Sequence, residues 1–424
     1  MVFVMLKKAT KLTIALAVSL PTPFASADFL KDAKGSLELR NFYYNRDFRN
    51  DGATQSKRDE WGQGFILNLQ SGFTEGTVGF GVDAQGLLGI KLDSSPDRTG
   101  SGILAYDSER NVEDEYSKIM LTAKARMGKS ELRVGGISPL MPLLWSNNSR
   151  LLPQVFRGGS LVSSDLDPLT ISAYSINAVK QRNSTDFQSL TAFGYRAVEA
   201  DHFNYLALDY KVLPTLAVSY HIADLEDLYR TNYFGLKLNQ PLSTGALITD
   251  IRYFDAKETG DKGIGEVDNR TLSSYFAYNL GGHTIGGGYQ KAWGGTSFAM
   301  VNGADSYLFA ESLVSTFTAP QEQVWFARYD YNFVALGIPG LTLGVKYAKG
   351  EDVDPTLLTT RQAAGLRLEG EDGKEWERMT DLTYVLQSGP IKGLSVQWRN
   401  STNRSTYADS ANENRFIVRY TFNF

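Results

Sequence analysis

The final segment of the chain, 414–424, alternates between two kinds of side chain with a period of two, which is the period of a β-strand. One face is apolar and largely aromatic, with Phe416, Val418, Tyr420, Phe422 and Phe424. The other face carries Arg415, Ile417, Arg419, Thr421 and Asn423. An edge strand of a soluble sandwich and the closing strand of an outer-membrane barrel both fit this pattern. The barrel is favoured, because aromatic side chains there face lipid and polar ones face the lumen.

The first 27 residues have the features of a Sec signal peptide. Three lysines, at positions 7, 8 and 11, precede a short apolar run at 12–20, and Ala-Ser-Ala at 25–27 forms a cleavage site. The run is shorter than the ~20 apolar residues that a membrane-spanning helix needs. We therefore expect a signal peptide at 1–27, removed before Asp28, and one exported domain at 28–424.

The composition limits the class of the exported domain. Cysteine is absent, which excludes disulfides and thiolate chemistry, and no second apolar run is long enough for a membrane-spanning helix. The chain contains 40 Gly, 22 Tyr and 23 Phe and has a formal net charge of −4, which gives no support for nucleic-acid binding. A large periplasmic protein and a transmembrane barrel remain as alternatives.

Apolar-alternating segments recur along the whole exported domain. They predict eighteen strands, near 35–46, 61–74, 76–92, 115–128, 130–138, 154–164, 168–181, 201–212, 214–223, 229–239, 244–256, 269–280, 282–292, 322–334, 340–350, 375–388, 391–401 and 413–424.

The connections between these strands alternate in length. Short turns rich in Gly, Pro or Asn, such as 128–129, 281–282 and 388–390, alternate with long polar connections such as 139–153 and 293–321. Bacterial barrels have short periplasmic turns and long external loops. The sequence therefore predicts an all-β fold, a membrane-spanning 18-stranded antiparallel β-barrel in the outer membrane of a Gram-negative cell.

The alternation also predicts which side chains face the lumen. A charge facing lipid near the midplane costs about 2–4 kcal/mol, so charged positions between apolar ones must point inward. The inward cations are Arg40, Lys118, Lys124, Arg126, Arg133, Arg252, Arg328, Lys346, Arg399 and Arg419. They could form a track that attracts anions, or they could pair with the lumen acids Glu38, Asp83, Asp250, Asp330 and Asp381 and only stiffen the wall.

Several long stretches resemble one family across essentially the whole exported domain. They are PLMPLLWSNNSRLLPQVFRG at 139–158, GGHTIGGGYQK at 281–291, MVNGADSYL at 300–308, WFARYDYNFVALGIPGLTLGVKYAKG at 325–350 and WERMTDLTYVLQSGPIKGLSVQWRN at 376–400. These resemble the OprD family of substrate-specific porins, with RYDY at 328–331 and the pattern YxxQSGPxKGLSxxxRN at 384–400 as the specific parts.

The resemblance implies a narrow constriction made by inward-folded loops and a basic ladder along one wall. Carried over by position, the ladder candidates are Arg40, Lys124, Arg126, Arg133, Arg328, Lys346, Arg399 and Arg419. The constriction candidates are Ser149, Arg150, Leu151, Gln154, Asp305, Ser306 and Tyr307. The chain departs from the family pattern at Gln397. Some relatives have a second arginine at this position, two residues from the arginine that matches Arg399.

The resemblance further implies passive, one-at-a-time uptake of small carboxylate-bearing nutrients. Apolar bulk at 143–145 favours aromatic monocarboxylates, whereas a porin for basic amino acids or small peptides would use the lumen acids Asp305 or Asp330. Arg150 is the only charge in 139–156, so it either meets the substrate carboxylate or pins the loop to a wall acid.

The expected partners are the substrate, outer-membrane lipid and lipopolysaccharide, and the barrel assembly machinery, which would recognise Phe424. We expect a monomer or a loose trimer, no nucleic acid, and no cofactor or metal. An outer-membrane hydrolase is the remote alternative. It would have to use His202, His221 or His283, which fall on separate strands, and the chain has no G-x-S-x-G motif.

Overall fold

The computed structural model of the chain describes residues 27–50, 53, 55–261, 263–358 and 372–424. The predicted signal peptide lies outside these residues except for Ala27, as do parts of the predicted loops 47–60, 257–268 and 351–374. A short helix, Ala27–Lys31, precedes the first strand. No helix in the described part of the chain has both the length and the apolar character needed to cross a membrane.

The chain folds into one antiparallel sheet of 18 strands. The sheet closes because the first strand pairs with the last as well as with the second, for example Arg40 with both Gly64 and Arg419. Closure leaves no unpaired edge, which is the condition for strands to span lipid. The barrel strands are β1 (Lys34–Phe48), β2 (Lys57–Gln70), β3 (Gly79–Asp93), β4 (Glu115–Met127), β5 (Ser130–Ile137), β8 (Val155–Leu166), β9 (Leu169–Lys180), β12 (Phe203–Leu213), β13 (Leu216–Leu225), β14 (Tyr229–Leu242), β15 (Gly245–Glu258), β16 (Asp268–Leu280), β17 (His283–Trp293), β18 (Gln323–Asn332), β19 (Leu341–Val353), β20 (Gly373–Val385), β21 (Ser395–Ser405) and β22 (Ala411–Asn423).

The predicted fold class is confirmed, and each predicted strand overlaps one barrel strand. The boundaries differ by a few residues. The largest difference at a strand start is in β2 and β21, which begin four residues before and four residues after the predicted positions. At β21 the predicted start falls in a turn, where the Gly393 amide bonds to the Leu386 carbonyl at 2.8 Å and Gly393 has φ +92°.

Side chains alternate between the outer surface and the lumen as predicted. On β4, Ile119 is 73% exposed on the outside, whereas Lys118 is 1% exposed on the inside. On the closing strand β22, Phe416 and Phe422 are exposed and Arg415 is buried in the barrel. The outer face is apolar because it meets lipid, and the polar face is turned inward. Phe424 is also exposed, and its backbone exchanges two hydrogen bonds with Gly35.

The connections that fold into the barrel include three that meet at the candidate site. They are the first inward loop (138–154), the second inward loop (181–202) and the third inward loop (294–322). The first contains a small hairpin, β6 (Leu140–Met141) with β7 (Leu144–Trp145), and the second contains β10 (Leu190–Ala192) with β11 (Tyr195–Ala200). The buried apolar side chains in the lumen, such as Leu151 and Phe254, pack these loops against the wall.

A glycine marks the point where β5 bends toward the first inward loop. Gly135 has φ +135°, and a Cβ built on it would lie 2.0 Å from the Leu121 carbonyl oxygen of β4. Only glycine fits this backbone conformation without displacing the neighbouring strand.

Candidate constriction site

The three inward loops meet near the middle of the lumen. The Asp305 amide donates to the Trp145 carbonyl at 2.9 Å, and the Asn147 side chain donates to the Asp305 carboxylate, which joins the first loop to the third. Gln181 Nε2 donates to the Asn302 carbonyl at 3.1 Å, which joins the second loop to the third. These contacts join the three loops to one another inside the barrel.

Wall cations hold the first inward loop in place. Arg40 Nη1 donates to Asn148 Oδ1 at 2.9 Å and to the Arg150 carbonyl at 2.7 Å. Lys118 Nζ donates to the carbonyls of Pro153 and Arg182, both at 2.9 Å. Because both cations are buried in the barrel wall, the loop backbone is tied to rigid strands.

The third inward loop is held by one acid and one base of the wall. The buried carboxylate of Glu377 accepts hydrogen bonds from the amides of Leu313, Val314 and Ser315 at 2.9, 3.1 and 2.8 Å. Lys346 Nζ donates to three consecutive carbonyls, 309–311, at 2.7–2.8 Å. The Glu377 carboxylate thus accepts from the loop's amides, and the Lys346 ammonium donates to its carbonyls. These bonds satisfy backbone groups that have no partner in a β-sheet.

An aromatic stack supports the junction between the first and third loops. The rings of Trp145 and Tyr307 lie 5.1 Å apart with an interplanar angle of 24°. The Arg252 guanidinium carbon lies 3.6 Å from the ring centroids of both Tyr307 and Phe309, and its Nη1 donates to the Tyr307 carbonyl at 2.9 Å. Arg252 is therefore sandwiched between two rings and is not available to a solute.

A cavity of about 540 Å³ lies at the constriction. Its charged lining consists of five cations and two acids, Arg46, Arg150, Arg182, Arg399, Arg415, Asp305 and Glu311. Its apolar lining includes Phe193, Met300, Leu308 and Leu313. The site thus combines a cationic side with an apolar side, which suits an anion that carries a hydrophobic group.

Arg150 and Arg182 approach each other in this cavity without an acid between them. Arg150 Nη1 donates to Ser149 Oγ at 3.0 Å, and Arg182 Nη1 contacts the same oxygen at 3.4 Å. Arg150 also donates from Nε to the Ser101 carbonyl at 2.9 Å. Within the described ranges, neither guanidinium forms an ion pair with a carboxylate. Burial and the neighbouring arginines hold the pKa of Arg150 well below its usual value, and burial lowers that of Arg182.

Each of the other cations of the cavity pairs with a wall carboxylate. Glu413 is fully buried and pairs with Arg46 and with Arg415, each at 2.5 Å, while Tyr44 donates its hydroxyl to the same carboxylate at 2.7 Å. Arg399 pairs with Asp381 at 2.9 Å. Arg150 and Arg182 are therefore the cations of the cavity without a carboxylate partner among the described residues.

The two acids of the cavity belong to the third inward loop and are weak. Burial raises the pKa of Asp305, although Arg182 and Arg150 oppose the shift. Burial and the proximity of Asp305 raise the pKa of Glu311 to about 7. Glu311 accepts a hydrogen bond from Ser306 Oγ at 2.5 Å. At neutral pH Glu311 therefore offsets less than its formal charge.

Six of the eight ladder candidates form ion pairs with wall acids. Glu38 pairs with Arg40 at 2.7 Å and lies 3.9 Å from Arg419. The other pairs are Lys124 and Arg133 with Asp83 at 2.6 and 3.1 Å, Arg328 with Asp330 at 2.7 Å, and Arg399 with Asp381 at 2.9 Å. Asp330, predicted as a lumen acid, thus neutralises its neighbour two residues away on β18.

The remaining two ladder candidates have no carboxylate partner among the residues that the structure covers. The guanidinium carbon of Arg126 lies 4.2 Å from the Phe73 ring centroid. Lys346 donates to backbone carbonyls of the third inward loop, as described above. Gln397 stands where some relatives have arginine. Its side chain donates to Asp381 at 2.9 Å and accepts from Arg419 at 3.1 Å. It continues the hydrogen-bonded wall without adding charge.

The constriction candidates divide into two groups. Ser149, Arg150, Asp305 and Ser306 line the cavity. Leu151 and Gln154 also belong to the first inward loop, but their side chains are fully buried. Leu151 packs on β2 beside Gly62 and Gly64, and Gln154 donates to Gln181 at 3.1 Å. Tyr307 lies in the aromatic stack and accepts from Lys237 at 2.9 Å. These three residues position the loops.

Sequence reasoning missed Arg182 and Glu311, because it assigned 182–200 to an external loop and singled out only 305–307 within the third inward loop. It also missed Glu377 as the acid that holds that loop. The sequence does contain an indication of this role. Glu375 and Glu377 are two residues apart, so both carboxylates fall on the lumen face of one strand.

The histidines lie on or beside separate strands and do not form a hydrolase triad. His221 bonds to Asp209 at 3.1 Å and to the Tyr205 hydroxyl at 2.6 Å, while Ser219 bonds to Asp209 and not to the imidazole. His202 lies 3.0 Å from Glu226, and His283 lies 2.9 Å from the Tyr329 hydroxyl. In the described ranges, no group of three or more His, Cys, Asp or Glu side chains could hold a metal ion.

Comparisons with known proteins agree with this architecture. The family model described as "outer membrane porin, OprD family" matches residues 27–424. The porin-like protein GalP of Pseudomonas putida is 37% identical over 413 residues, covering 96% of each chain. The crystal structure of OccK9 (OpdG) of Pseudomonas aeruginosa has a TM-score of 0.89 and 40% identity, covering 94% of this chain and all of that one. OpdK of the same organism, solved with vanillate, has a TM-score of 0.86 and 36% identity, covering 93% and 100%.

Proposed function

The chain belongs to the OprD family of outer membrane porins, and on that basis we propose that its constriction selects small monocarboxylates, aromatic ones above all. As a family member it is a substrate-specific channel of the Gram-negative outer membrane and not an enzyme. The proposal concerns which substrates pass. It also includes the predicted processing of residues 1–27, recognition of Phe424 by the assembly machinery, and assembly as a monomer or a loose trimer.

The observation that carries the proposal is the pair Arg150 and Arg182, which converge on Ser149 Oγ without a carboxylate among the described residues. Two half-buried guanidiniums repel each other, and an entering carboxylate relieves this repulsion. A carboxylate can accept two parallel hydrogen bonds from one guanidinium, or one from each of two. The same contact fixes the orientation of the solute in the narrowest part of the channel.

The apolar side of the cavity supports an aromatic substituent on the carboxylate. Phe193, Met300 and Leu308 line it, so a ring can be buried while its carboxylate meets the arginines. OpdK, a relative by structure, was crystallised with vanillate, which is an aromatic monocarboxylate. Benzoate-like acids therefore fit both sides of the cavity.

Basic amino acids are the alternative substrate class, and Asp305 and Glu311 favour it. Both acids, however, have raised pKa values, and each already accepts a hydrogen bond from its own or a neighbouring loop. Arg150 and Arg182, which form no ion pair among the described residues, line the same cavity as these two acids. A cationic solute would meet net repulsion, so we favour the anion.

The test is uptake into liposomes of three solutes with nearly the same shape, which are benzoate, benzamide and benzylamine. We expect benzoate uptake to be fastest and saturable, and benzylamine uptake to be slowest. Arg182→Gln should slow benzoate uptake about tenfold or more, because it removes one of two charged contacts worth roughly 1.5–3 kcal/mol each. Arg126→Gln, which removes a lumen cation outside the constriction, is the control. Fastest uptake of benzylamine would refute the proposal, and so would equal effects of the two variants.

A further inference from the structure

The outer surface of the barrel carries a cluster of cations at the end where the long connections lie. This outer basic patch consists of Arg49, Lys349, Lys374, Arg378 and Arg404, arranged around Trp376. A cavity of about 560 Å³ lies between four of them, and Trp376, Ser405, Thr406 and the acid Glu375, whose carboxylate accepts from the Tyr407 hydroxyl, also line it. The patch lies on the opposite face of the wall from the lumen cations, so transport does not use it.

Strand register brings these side chains together. Trp376 of β20 pairs with Lys349 of β19 on one side and with Arg404 of β21 on the other, so all three point outward in one row. Paired strands lie about 4.8 Å apart, which places Lys349 and Arg404 about 10 Å from each other across the tryptophan. Lys374 and Arg378 precede and follow Trp376 by two residues on the same face.

The patch has an excess of positive charge. Lys349 pairs with Glu351 at 2.6 Å, and Arg49 pairs with Asp47 at 2.7 Å. Within the described chain, Lys374, Arg378 and Arg404 form no ion pair. Arg404 is held by Nη1, which donates to the Asn403 carbonyl at 2.7 Å and to Asn412 Oδ1 at 2.9 Å, so its guanidinium is oriented before any ligand arrives.

The position along the barrel identifies the surroundings of the patch. Exposed aromatic side chains of the interfacial girdle lie beside it, with Trp325 paired to Lys349 and Tyr347 stacked on Trp376 at 5.9 Å. Three further exposed rings lie on the same outer face, closer to the short-turn end than the patch. They belong to Trp398, Phe416 and Tyr43, which pair across neighbouring strands. Cations just beyond an aromatic girdle face the headgroups of the surrounding leaflet. At the long-loop end, that leaflet is the outer one.

We propose that the outer basic patch binds the phosphorylated diglucosamine headgroup of lipid A, the anchor of lipopolysaccharide. The outer leaflet presents its negative charge as phosphates on this sugar. Arg404 is suited to a bidentate phosphate contact, Lys349 and Lys374 add point charges, and Trp376 offers a flat face to a sugar ring. Basic pockets of this kind recognise lipid headgroups in membrane proteins.

The experiment measures binding of bisphosphorylated lipid A in mixed micelles to the full-length protein. The variant replaces Lys349, Lys374 and Arg404 together with Gln. The matched control replaces Lys129, Lys211 and Lys392 with Gln, which removes the same charge from exposed sites at the short-turn end. We expect lipid A binding to weaken about tenfold or more in the patch variant only, since each surface cation contributes measurably to anionic lipid affinity. Heat-modifiable migration checks that each variant is folded.

Several results would overturn the assignment. Equal lipid A binding by the patch and control variants would do so, and so would equal binding of dephosphorylated lipid A by the parent. Displacement of lipid A by millimolar inorganic phosphate would make the patch a free-anion site. Equal capture of phosphatidylglycerol micelles would make it a general anionic surface. Benzoate uptake should be unchanged in the patch variant, so failure here is distinguishable from failure of the proposed transport function.

Discussion

Glu377→Gln tests whether one wall carboxylate fixes the third inward loop. Glu377 is buried on the lumen face of β20 and accepts from the amides of Leu313, Val314 and Ser315 and from Ser401 Oγ at 2.6 Å. Glutamine keeps the size and one acceptor oxygen. Its amide group then faces the amide of Ser315 or those of Leu313 and Val314, so at least one buried N–H loses its partner.

The expected cost follows from these contacts. One unsatisfied buried donor costs about 1–3 kcal/mol, and the surviving bonds lose the charge assistance that makes them about twice as strong as neutral ones. A total near 3 kcal/mol raises the population of the detached loop about a hundredfold. The barrel itself should persist, because its 18 strands pair through their backbones.

Single-channel recording measures the effect. We expect Glu377→Gln to give larger and noisier conductance with weaker discrimination between benzoate and benzylamine. Glu131→Gln is the matched control, since Glu131 is a lumen carboxylate that pairs with Arg133 at 2.5 Å and, in the described part of the chain, forms no hydrogen bond or ion pair with the three inward loops. Quiet recordings of unchanged conductance from Glu377→Gln would refute the role assigned to this residue.

Three further outcomes are expected. Because the pKa of Glu311 is about 7, lowering the pH from 8 to 6 should neutralise it and speed benzoate uptake, and this dependence should disappear in Glu311→Gln; a pH dependence that survives the substitution would exclude Glu311 as its origin. Gly135→Ala should reduce the heat-modifiable folded fraction several-fold, because its Cβ would lie 2.0 Å from the Leu121 carbonyl oxygen, and a parental yield would contradict this. N-terminal sequencing of the mature protein should begin at Asp28, whereas a retained Met1 would contradict the predicted signal peptide.

The barrel could be predicted from the sequence because each strand carries its own signal. Alternation of apolar and polar side chains is a local property, and lipid on one side makes it strict. The segment 115–127 shows this, since its odd positions from Ile119 are apolar and lipid-facing, while Lys118 and Lys124 face inward. The alternation of short and long connections then gave the closed topology.

The constriction could be predicted only in part, because it depends on contacts between distant segments. The family resemblance placed the first and third loops, and Ser149, Arg150 and Asp305 do line the cavity. Nothing local marks 181–202 as an inward loop, and so Arg182 was not expected beside Arg150. Whether a wall arginine is paired also depends on register, as with Arg399 and Asp381, which face each other across β20 and β21.

The central claim is that two uncompensated arginines at the constriction select the carboxylate. The most direct measurement is the reversal potential in a gradient of potassium benzoate for the parent, Arg126→Gln and the double variant Arg150→Gln/Arg182→Gln. We expect preference for benzoate over potassium in the parent and in Arg126→Gln, and loss of that preference in the double variant. An unchanged reversal potential in the double variant, with folded protein, would contradict it.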